Sequence, residues 1–320
     1  MSARILITRR WPEACQSALA ERFEATFNDS DAPMSPAALA DAMKSFDAVA
    51  PTVSDKVTAE MFEGATAKIV ANYGVGFTNI DVEAARAAGV VVTNTPGVLT
   101  DCTADLAMAL LLAAARRVGE GERELRAGNW TGWRPTHMIG TKVTGATLGI
   151  VGFGRIGQAV AKRAHHGFGM KVIFYDAYPP PAEVSAALGA EPRDSAEAVL
   201  EEADFVSLHT PGGKENMHLV NAERLARMKP SAILVNTARG ECVDEVALAA
   251  ALKAGTIRGA GLDVFEREPA VEAALTECEN AVLLPHLGSA TDSTRVAMGM
   301  TALENLTAFF EGREPPNRVA

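Results

Sequence analysis

Residues Thr147–Gly157 read TLGIVGFGRIG. An apolar, strand-like run leads directly into three glycines, and a helical pattern follows them. Gly152 permits a tight turn, Gly154 lets a backbone approach a bound phosphate, and Gly157 allows a helix to pack closely on a strand. Amides at the start of that helix would face the phosphates, where the helix dipole favours negative charge. The stretch therefore predicts a strand–turn–helix unit that binds a dinucleotide.

The next strand-like run ends at Asp176, which lies 19 residues after Gly157. A carboxylate at this position accepts hydrogen bonds from the ribose hydroxyls of NAD and repels the 2′-phosphate of NADP. No arginine follows closely, since the next residues read AYPPP. The sequence therefore predicts that the protein binds NAD and prefers NADH over NADPH, with Arg155 in contact with a phosphate. The alternative is a glycine-rich turn and a solvated Asp176 with no ligand.

Apolar runs alternate with helical patterns along the chain, and this alternation predicts parallel sheets covered by helices. The strand candidates are Arg4–Thr8, Asp47–Ala50, Lys68–Asn72, Val90–Thr93, Thr147–Val151, Lys171–Tyr175, Asp204–Leu208, Ala232–Asn236, Gly259–Leu262 and Ala281–Leu284. A length of 320 residues has room for two domains. We therefore expect an α/β fold of two doubly wound parallel-sheet domains, with a helix over Thr291–Phe310 that returns the chain to the first domain.

A single long helix is expected from about Thr103 to Ala127, ended by Gly128 and Asn129. Its first half is apolar almost all round, which predicts burial against another domain or another subunit. With the loop of residues 130–140, it is expected to form a two-fold contact in a homodimer. The sequence leaves open whether that loop packs on its own subunit or reaches the partner's active site.

The composition argues against several kinds of partner. The chain is 48% hydrophobic and 22% charged, and its net charge of −10 disfavours nucleic acid and anionic membranes. The longest apolar stretch, Leu106–Ala115, is about half of the ~20 residues that a membrane-spanning helix needs. No signal-peptide pattern is visible at the amino terminus, so a cytoplasmic location is expected. The four cysteines lie far apart without a CxxC pair, which predicts reduced thiols and no metal site.

Three apolar runs in the second half of the chain each lead into a residue with useful chemistry. They read AILVNTARG, which contains Arg239; GAGLDVFEREP, which contains Glu268; and NAVLLPH, which ends at His286. If each run is a buried parallel strand, the three residues emerge at the carboxyl edge of one sheet, where open α/β folds bind ligands. A cation, a carboxylate and an imidazole can together bind an anionic substrate and move a proton, which predicts an enzyme.

These segments together resemble the family of D-isomer-specific 2-hydroxyacid dehydrogenases. The resemblance covers nearly the whole chain, because NYGVGFTNID, the glycine turn, NTARG, LDVF with the following EP, and PHLGS occur in the family's order. The chain is most similar to the glyoxylate/hydroxypyruvate reductase (D-glycerate dehydrogenase) branch. The resemblance implies a Rossmann NAD-binding domain over residues 99–289, inserted into a flavodoxin-like substrate domain of residues 1–98 and 290–320.

The resemblance also implies contacts to cofactor and substrate. Beside the three glycines, the implied NAD contacts are Thr103, Arg155, Ile156, Asp176, Thr210, Pro211, Asn216, Thr237, Ala238, Asp263 and Ser289. Backbone amides of Val75 and Gly76 are implied to hold the substrate carboxylate, although the residues alone equally predict a tight turn after a strand. The implied reaction is reversible, NADH-dependent reduction of a small anionic 2-keto acid, glyoxylate or hydroxypyruvate, to the D-2-hydroxy acid.

Such a reduction needs a hydride from the nicotinamide and a proton for the carbonyl oxygen. His286 is the expected general acid, since imidazole titrates near neutral pH. Glu268 is expected to orient its ring and favour its protonated form. Asp263 and Glu266 compete for that role, but Asp263 remains within the strand run and Glu266 looks solvent-facing. Arg239 is expected to engage the carboxylate and carbonyl oxygens with its planar fork, so that it and His286 both contact the substrate.

Other functions remain compatible with the sequence. One is reduction of a larger 2-keto acid such as phenylpyruvate or hydroxyphenylpyruvate, and another is a phosphite- or formate-type oxidation. A third is a non-catalytic NADH-sensing protein, as in the transcriptional corepressors that resemble this family. Those corepressors usually carry disordered tails, and no such tail is visible here. The walls of a substrate pocket come from loops whose packing the sequence does not give.

Overall fold

A computed structural model describes residues 2–320 of the chain. The described chain divides into two compact units, one formed by residues 2–99 with 289–320 and the other by residues 100–288. Each unit contains one sheet, and every strand pair in both sheets is parallel. The expected α/β class with two parallel-sheet domains is confirmed.

The sheet of the first unit has five short strands. They are β1 (Arg4–Ile7), β2 (Glu24–Phe27), β3 (Ala48–Ala50), β4 (Ile69–Ala71) and β5 (Val91–Thr93). Their spatial order is β2-β1-β3-β4-β5, the order of a flavodoxin-like doubly wound sheet. The central strands β3 and β4 are fully buried, as expected for parallel strands with helices on both faces.

Side-chain caps mark the start of two of the three early helices of this unit, and the first of them begins after Pro12 without one. The first three helices are α1 (Glu13–Ala20), α2 (Pro36–Ser45) and α3 (Val82–Ala87). The Ser35 hydroxyl accepts a hydrogen bond from the Ala38 amide at 3.2 Å, and the Asp81 carboxylate accepts one from the Ala84 amide at 2.9 Å. Each bond satisfies an amide that has no partner within its helix, which stabilises that helix start.

The sheet of the second unit has seven strands. They are β6 (Thr147–Val151), β7 (Lys171–Tyr175), β8 (Ala190–Pro192), β9 (Phe205–Leu208), β10 (Ile233–Asn236), β11 (Gly259–Leu262) and β12 (Ala281–Leu283). Their spatial order is β12-β11-β10-β9-β6-β7-β8. This is the Rossmann order with one strand added at the β11 edge, and the order reverses between β6 and β9, where such sheets bind their ligands.

The helices of the second unit cover both faces of its sheet. They are α4 (Thr100–Ala115), α5 (Val118–Arg126), α6 (Arg155–Phe168), α7 (Ala182–Ala187), α8 (Ala196–Glu202), α9 (Ala222–Arg227), α10 (Glu245–Ala254) and α11 (Ala273–Thr276). The chain then returns to the first unit, whose last helix is α12 (Asp292–Phe310). That helix begins at Thr291, whose hydroxyl accepts from the Thr294 amide.

The expectation of one helix over Thr103–Ala127 is wrong. The chain breaks between α4 and α5 at Arg117, which has a φ of 53° in the left-handed region. The Ala115 carbonyl, at the end of α4, accepts a hydrogen bond at 2.7 Å from the distant Thr141 amide. The apolar surface of α4 packs against α6, β10 and β11 of its own unit. Gly119 and Gly121 lie just after the break, in the first turn of α5, and the expectation of one helix did not take them into account.

Two strands were not expected, and both lie at the edge of a sheet. β2 alternates exposed and half-buried residues, and β8 contains an exposed glutamate and proline. Neither therefore presents the continuous apolar run that marks a central parallel strand. Among residues 2–320, no helix is long and apolar enough to span a membrane.

Candidate active site

The glycine turn between β6 and α6 has the geometry that its sequence predicts. Gly152 has a φ of +92°, and a Cβ there would lie 2.5 Å from the His209 carbonyl carbon. A Cβ on Gly157 would collide with the Gly152 carbonyl oxygen. A Cβ on Gly154, in contrast, would meet no atom within 4 Å. Two of the glycines are therefore required by the fold itself, and the third leaves open space beside the start of α6.

The first turn of α6 offers unpaired donors to an anion. No hydrogen bond within the described part of the chain uses the amides of Arg155 or Ile156, and no side chain caps this helix. Unpaired amides and the positive end of the helix dipole form a ready site for phosphate. The residues present therefore fit the pyrophosphate of a dinucleotide.

Asp176 follows β7 directly and lies beside the glycine turn. Its Oδ2 accepts a hydrogen bond from the Phe153 amide at 2.5 Å, and its Oδ1 accepts one from the Tyr178 amide at 2.7 Å. These two bonds hold the carboxylate at the end of its strand. A carboxylate in this place can recognise the ribose hydroxyls of a dinucleotide.

Most of the other implied cofactor contacts lie on the same sheet edge. Thr210 and Pro211 follow β9, Thr237 and Ala238 follow β10, and Asp263 follows β11. The Thr237 hydroxyl is buried and has no hydrogen-bond partner among residues 2–320. A buried polar atom without a partner is costly, and a bound ligand would satisfy it.

The remaining three implied contacts are placed differently. Thr103 lies in the first turn of α4, and its hydroxyl donates to the Gly288 carbonyl at 3.0 Å. Asn216 ends a short 3₁₀ helix, and its side chain donates to the Pro211 carbonyl at 3.0 Å. Ser289 is buried and begins the returning segment of the first unit. The polar side-chain groups of Thr103 and Asn216 thus already have partners within the protein.

His286 and Glu268 form a direct pair. The His286 Nδ1 and the Glu268 Oε2 are 2.8 Å apart, and the Glu268 Oε1 accepts a hydrogen bond from the Phe265 amide at 3.0 Å. His286 has a φ of 54°, and its amide donates to the Asp263 carbonyl at 2.9 Å. The ring is therefore held by its own backbone as well as by Glu268, and no hydrogen bond within the described residues uses its Nε2.

The two competing carboxylates have other partners. Asp263 accepts hydrogen bonds from the Leu287 amide at 2.6 Å and the Gly288 amide at 2.7 Å, so it supports the turn that carries His286. Glu266 lies 3.4 Å from His218. Burial raises the pKa of Asp263, against the two amide hydrogen bonds that lower it. Of the three carboxylates considered from the sequence, Glu268 alone pairs with His286.

Charge in this cluster is balanced between a carboxylate and a guanidinium. Burial alone would raise the pKa of Glu268, but the hydrogen bond and charge of His286, the Phe265 amide and the charge of Arg239 hold that pKa below its ordinary value. Glu268 is therefore a carboxylate at neutral pH. Burial lowers the pKa of Arg239, opposed by the negative charges of Glu268 and Glu241. Arginine remains a cation at neutral pH even so.

A side chain that the sequence did not single out positions Arg239. The Asn236 amide nitrogen donates to the Arg239 carbonyl at 2.9 Å, and its oxygen accepts from the Ala238 amide at 3.0 Å. The Arg239 Nη1 donates to the Ala238 carbonyl at 2.6 Å, and the other guanidinium nitrogens have no hydrogen bond within the described part of the chain. The signal of this role in the sequence is an asparagine at the last position of a buried strand. A Cβ on Gly240 would collide with the Phe265 backbone, which explains the glycine after Arg239.

Val75 and Gly76 belong to the first unit, in the turn that follows β4. Both are partly exposed. Their amides donate to no acceptor among residues 2–320. The structure therefore places the implied carboxylate-binding amides and the three titratable side chains on different units. No group of three or more His, Cys, Asp or Glu side chains in the described chain could hold a metal ion.

Comparisons with known proteins agree with this arrangement. The model for the NAD-binding domain of D-isomer-specific 2-hydroxyacid dehydrogenases matches residues 108–288. A glyoxylate reductase of Korarchaeum cryptofilum is 49% identical over 322 aligned residues, which cover 100% of this chain and 96% of the relative. A glyoxylate reductase of Thermococcus litoralis is 48% identical, with 100% and 97% covered.

Solved structures give the same result. A protein from Thermus thermophilus is 46% identical, with a TM-score of 0.90 and 99% and 100% of the two chains covered. An NADPH-dependent glyoxylate/hydroxypyruvate reductase of Sinorhizobium meliloti, in complex with NADP and malonate, is 35% identical, with a TM-score of 0.87 and 100% and 97% covered. The chain therefore belongs to the family of D-isomer-specific 2-hydroxyacid dehydrogenases, and the resemblance predicted from its motifs is confirmed. It is an oxidoreductase with an NAD(P)-binding domain, and the curated relatives that match it over its whole length are glyoxylate reductases.

Proposed function

We propose that the protein reduces a small 2-keto acid, glyoxylate or hydroxypyruvate, to the corresponding D-2-hydroxy acid with NADH, and that the reaction is reversible. The observation that carries the proposal is the His286–Glu268 pair near the charge of Arg239, at the sheet edge that holds the glycine turn. Full-length identity of 44–49% to glyoxylate reductases supports the small substrate. It does not favour a larger keto acid, a phosphite- or formate-type oxidation, or a non-catalytic sensor.

The two units take separate roles in this proposal. Residues 99–289 form the dinucleotide-binding domain, because they contain the glycine turn and Asp176. Residues 1–98 and 290–320 form the substrate-binding domain, in which the free amides of Val75 and Gly76 bind the carboxylate of the substrate. When bound, the nicotinamide supplies the hydride in reduction and accepts it in oxidation.

The side chains of the cluster handle the proton and the orientation. Glu268 is a carboxylate, so the His286 Nδ1 donates its hydrogen to it and the Nε2 remains free to exchange a proton. In reduction, the Nε2 would give its proton to the carbonyl oxygen of the substrate, and in oxidation it would take that proton back. The free guanidinium donors of Arg239 bind the carboxylate and carbonyl oxygens, which orients and polarises the carbonyl.

Substrate and acid roles can be tested together. We expect the wild-type protein to turn over glyoxylate and hydroxypyruvate faster than phenylpyruvate in an initial-rate panel. Replacing His286→Ala removes the proton donor, so kcat should fall by about 100-fold or more. The dissociation constant of NADH, measured by fluorescence titration, should stay unchanged. Faster turnover of phenylpyruvate would contradict the substrate, and a loss confined to NADH affinity would contradict the acid role of His286.

The cofactor preference rests on Asp176. Its carboxylate sits at the end of β7 between two amide donors, and no arginine follows it closely to neutralise a 2′-phosphate. A negative group here repels NADPH. We therefore expect higher kcat/KM with NADH than with NADPH in the same panel, although the relative from Sinorhizobium meliloti is NADPH-dependent. A wild-type preference for NADPH would contradict this assignment.

We also propose that two copies form a dimer through α5 and the loop of residues 127–140. Five large apolar side chains are exposed here: Val118, Leu125, Trp130, Trp133 and Ile139. Trp133 is 83% exposed and Leu125 61% exposed, and a concentration of such side chains favours contact with another protein surface. The base of the loop packs on its own subunit, since Arg258 donates to the Ile139 carbonyl at 2.7 Å and His137 pairs with Glu124 at 2.9 Å.

A further inference from the structure

The turn of residues 74–76 has every carbonyl oxygen occupied. The Asn72 side-chain nitrogen donates to the Gly76 carbonyl at 2.9 Å and lies 3.4 Å from the Gly74 carbonyl. The Asn94 side-chain nitrogen donates to the Val75 carbonyl at 2.8 Å. Two asparagine side chains, one on each side of the turn, thus direct its carbonyl groups into the protein.

Two amides of the same turn, in contrast to its carbonyl groups, have no hydrogen-bond partner in the described chain. Val75 and Gly76 use neither amide in any hydrogen bond of the described chain, and both residues are partly exposed. Adjacent amides that point outward together form a concave site that favours anions. A peptide group that turned over would place a carbonyl oxygen in this site and repel an anion. The Gly76 amide shares its peptide group with the Val75 carbonyl, so the Asn94 bond opposes that rotation. The Val75 amide shares its peptide group with the Gly74 carbonyl, which lies 3.4 Å from the Asn72 side-chain nitrogen and accepts from the Thr95 amide at 3.0 Å.

Asn72 is held through its side chain, and Asn94 is held through its backbone. The Asn72 oxygen accepts a hydrogen bond from the Asn79 side chain at 3.3 Å, and Asn72 is fully buried. The Asn94 amide donates to the Asn317 carbonyl at 3.2 Å. The Asn94 carbonyl accepts from the buried Asn305 side chain at 3.0 Å. The Asn72 side chain is therefore oriented before any ligand arrives, and the backbone that carries the Asn94 side chain is fixed.

We propose that Asn72 and Asn94 are positioning residues for the substrate carboxylate. They hold the Val75 and Gly76 amides toward the ligand and exclude their carbonyl oxygens from its site. This inference rests on the proposed function, in which those amides bind a 2-keto acid. It also explains why the turn binds a carboxylate.

The test compares three variants with a matched control. Asn94→Ala and Asn72→Ala each remove the side-chain nitrogen that donates to the turn. Asn94→Asp keeps the size of the side chain but replaces that nitrogen with an oxygen, which can only accept. The control is Asn28→Ala, because the Asn28 side chain also donates to two backbone carbonyls of the first unit, at 2.9 Å to Thr8 and 2.7 Å to Ala32. All four proteins are purified as the full chain, and their melting temperatures are measured.

A positioning role predicts a change in substrate binding alone. KM for glyoxylate should rise about tenfold in Asn94→Ala, the effect of one lost hydrogen bond, and further in Asn94→Asp. Asn72→Ala should also raise KM. We expect kcat to change less than KM and the NADH dissociation constant to stay unchanged. Asn28→Ala should lower the melting temperature as much as Asn94→Ala does, with KM unchanged.

The inference is overturned if KM in Asn94→Ala and Asn94→Asp equals that of the wild type, or if Asn28→Ala raises it equally. If the wild type turns over neither glyoxylate nor hydroxypyruvate, the proposed function fails instead. The same proteins are then titrated calorimetrically with oxalate in the presence of NADH, which measures carboxylate binding without turnover. Weaker oxalate binding in the Asn94 variants supports the inference, and equal binding overturns it. Asn94→Asp, being isosteric, keeps the test valid if an alanine variant does not fold.

Discussion

Among single residues, Glu268 can be tested with Glu266 as its control. Glu268 contacts His286, whereas Glu266 contacts His218. Replacing Glu268→Gln keeps a hydrogen-bonding side chain of the same size but removes the negative charge. We expect kcat for glyoxylate reduction to fall about tenfold or more, because the ring loses the carboxylate that orients it. Steady-state kinetics measure the effect. Glu266→Gln should leave kcat unchanged, and equal losses in both variants would contradict the assignment.

His209 makes stability depend on pH. Its Nε2 is 2.8 Å from the Ser207 hydroxyl, and its Nδ1 is buried without a partner in the described chain. Burial lowers the pKa of His209 from 6.5 to about 4. Because the unfolded chain then binds the proton more tightly than the folded protein, acid favours unfolding. The contribution of His209 is complete above pH 6.5 and decreases as the pH falls toward 4.

The variant His209→Asn removes this titration. Between pH 7 and pH 4.5, the wild type should lose no more than about 3 kcal/mol of unfolding free energy relative to the variant. Urea denaturation at both pH values measures the difference, and all other titrating groups are shared by the two proteins. A difference that does not change with pH would show that His209 takes up protons equally well in the folded state.

Among the elements, the turn between β6 and α6 contains a glycine that the fold requires, Gly157, and one that we expect to matter only for cofactor binding, Gly154. A methyl group on Gly154 enters open space, whereas one on Gly157 collides with the Gly152 carbonyl oxygen. Gly157→Ala should therefore cost about 1–3 kcal/mol of stability. Gly154→Ala should keep the melting temperature and weaken NADH binding about tenfold or more, since the methyl group occupies the approach of the pyrophosphate. Unchanged NADH affinity in Gly154→Ala would contradict the cofactor site.

Elements with a continuous apolar run could be predicted from the sequence, and those without one could not. The central strands of both sheets, the glycine turn and the residues that follow β10 and β12 lie where their patterns place them. The edge strands β2 and β8 carry exposed polar residues and gave no signal. The break at Arg117 had a local signal in Gly119 and Gly121, whereas the hydrogen bond from the Thr141 amide to the Ala115 carbonyl at the end of α4 joins residues remote in sequence.

The candidate site follows the same rule. Arg239 and His286 could be singled out because strand ends of a parallel sheet converge on one edge. Glu268 could be preferred, but its pairing with His286 required the fold of the segment between β11 and β12. The roles of Asn72 and Asn94 could not be predicted, since each acts on backbone carbonyls whose position depends on the finished turn.

At the scale of the whole molecule, the proposed dimer predicts a measurable mass. Sedimentation should give twice the chain mass of 33.6 kDa. Replacing Leu125→Glu places a charge on the exposed apolar side of α5, and we expect the protein to shift toward the monomer because burying an unpaired charge is costly. The control is Val246→Glu, which changes an equally exposed side chain on α10 and should leave the dimer intact. A wild-type monomer at micromolar concentration would contradict the proposal.

The first unit is made from residues 2–99 and 289–320, and its strand β5 is hydrogen-bonded to the last residues of the second segment. The Val92 amide donates to the Ala320 carbonyl at 2.9 Å, and the Val319 amide donates to the Val92 carbonyl at 2.7 Å. During synthesis on the ribosome, the second unit has all of its residues once Gly288 has been added. The first unit, although translated earlier, still lacks α12 and these contacts at that moment. Since domains fold as units, the inserted one can reach its native state before the one that surrounds it.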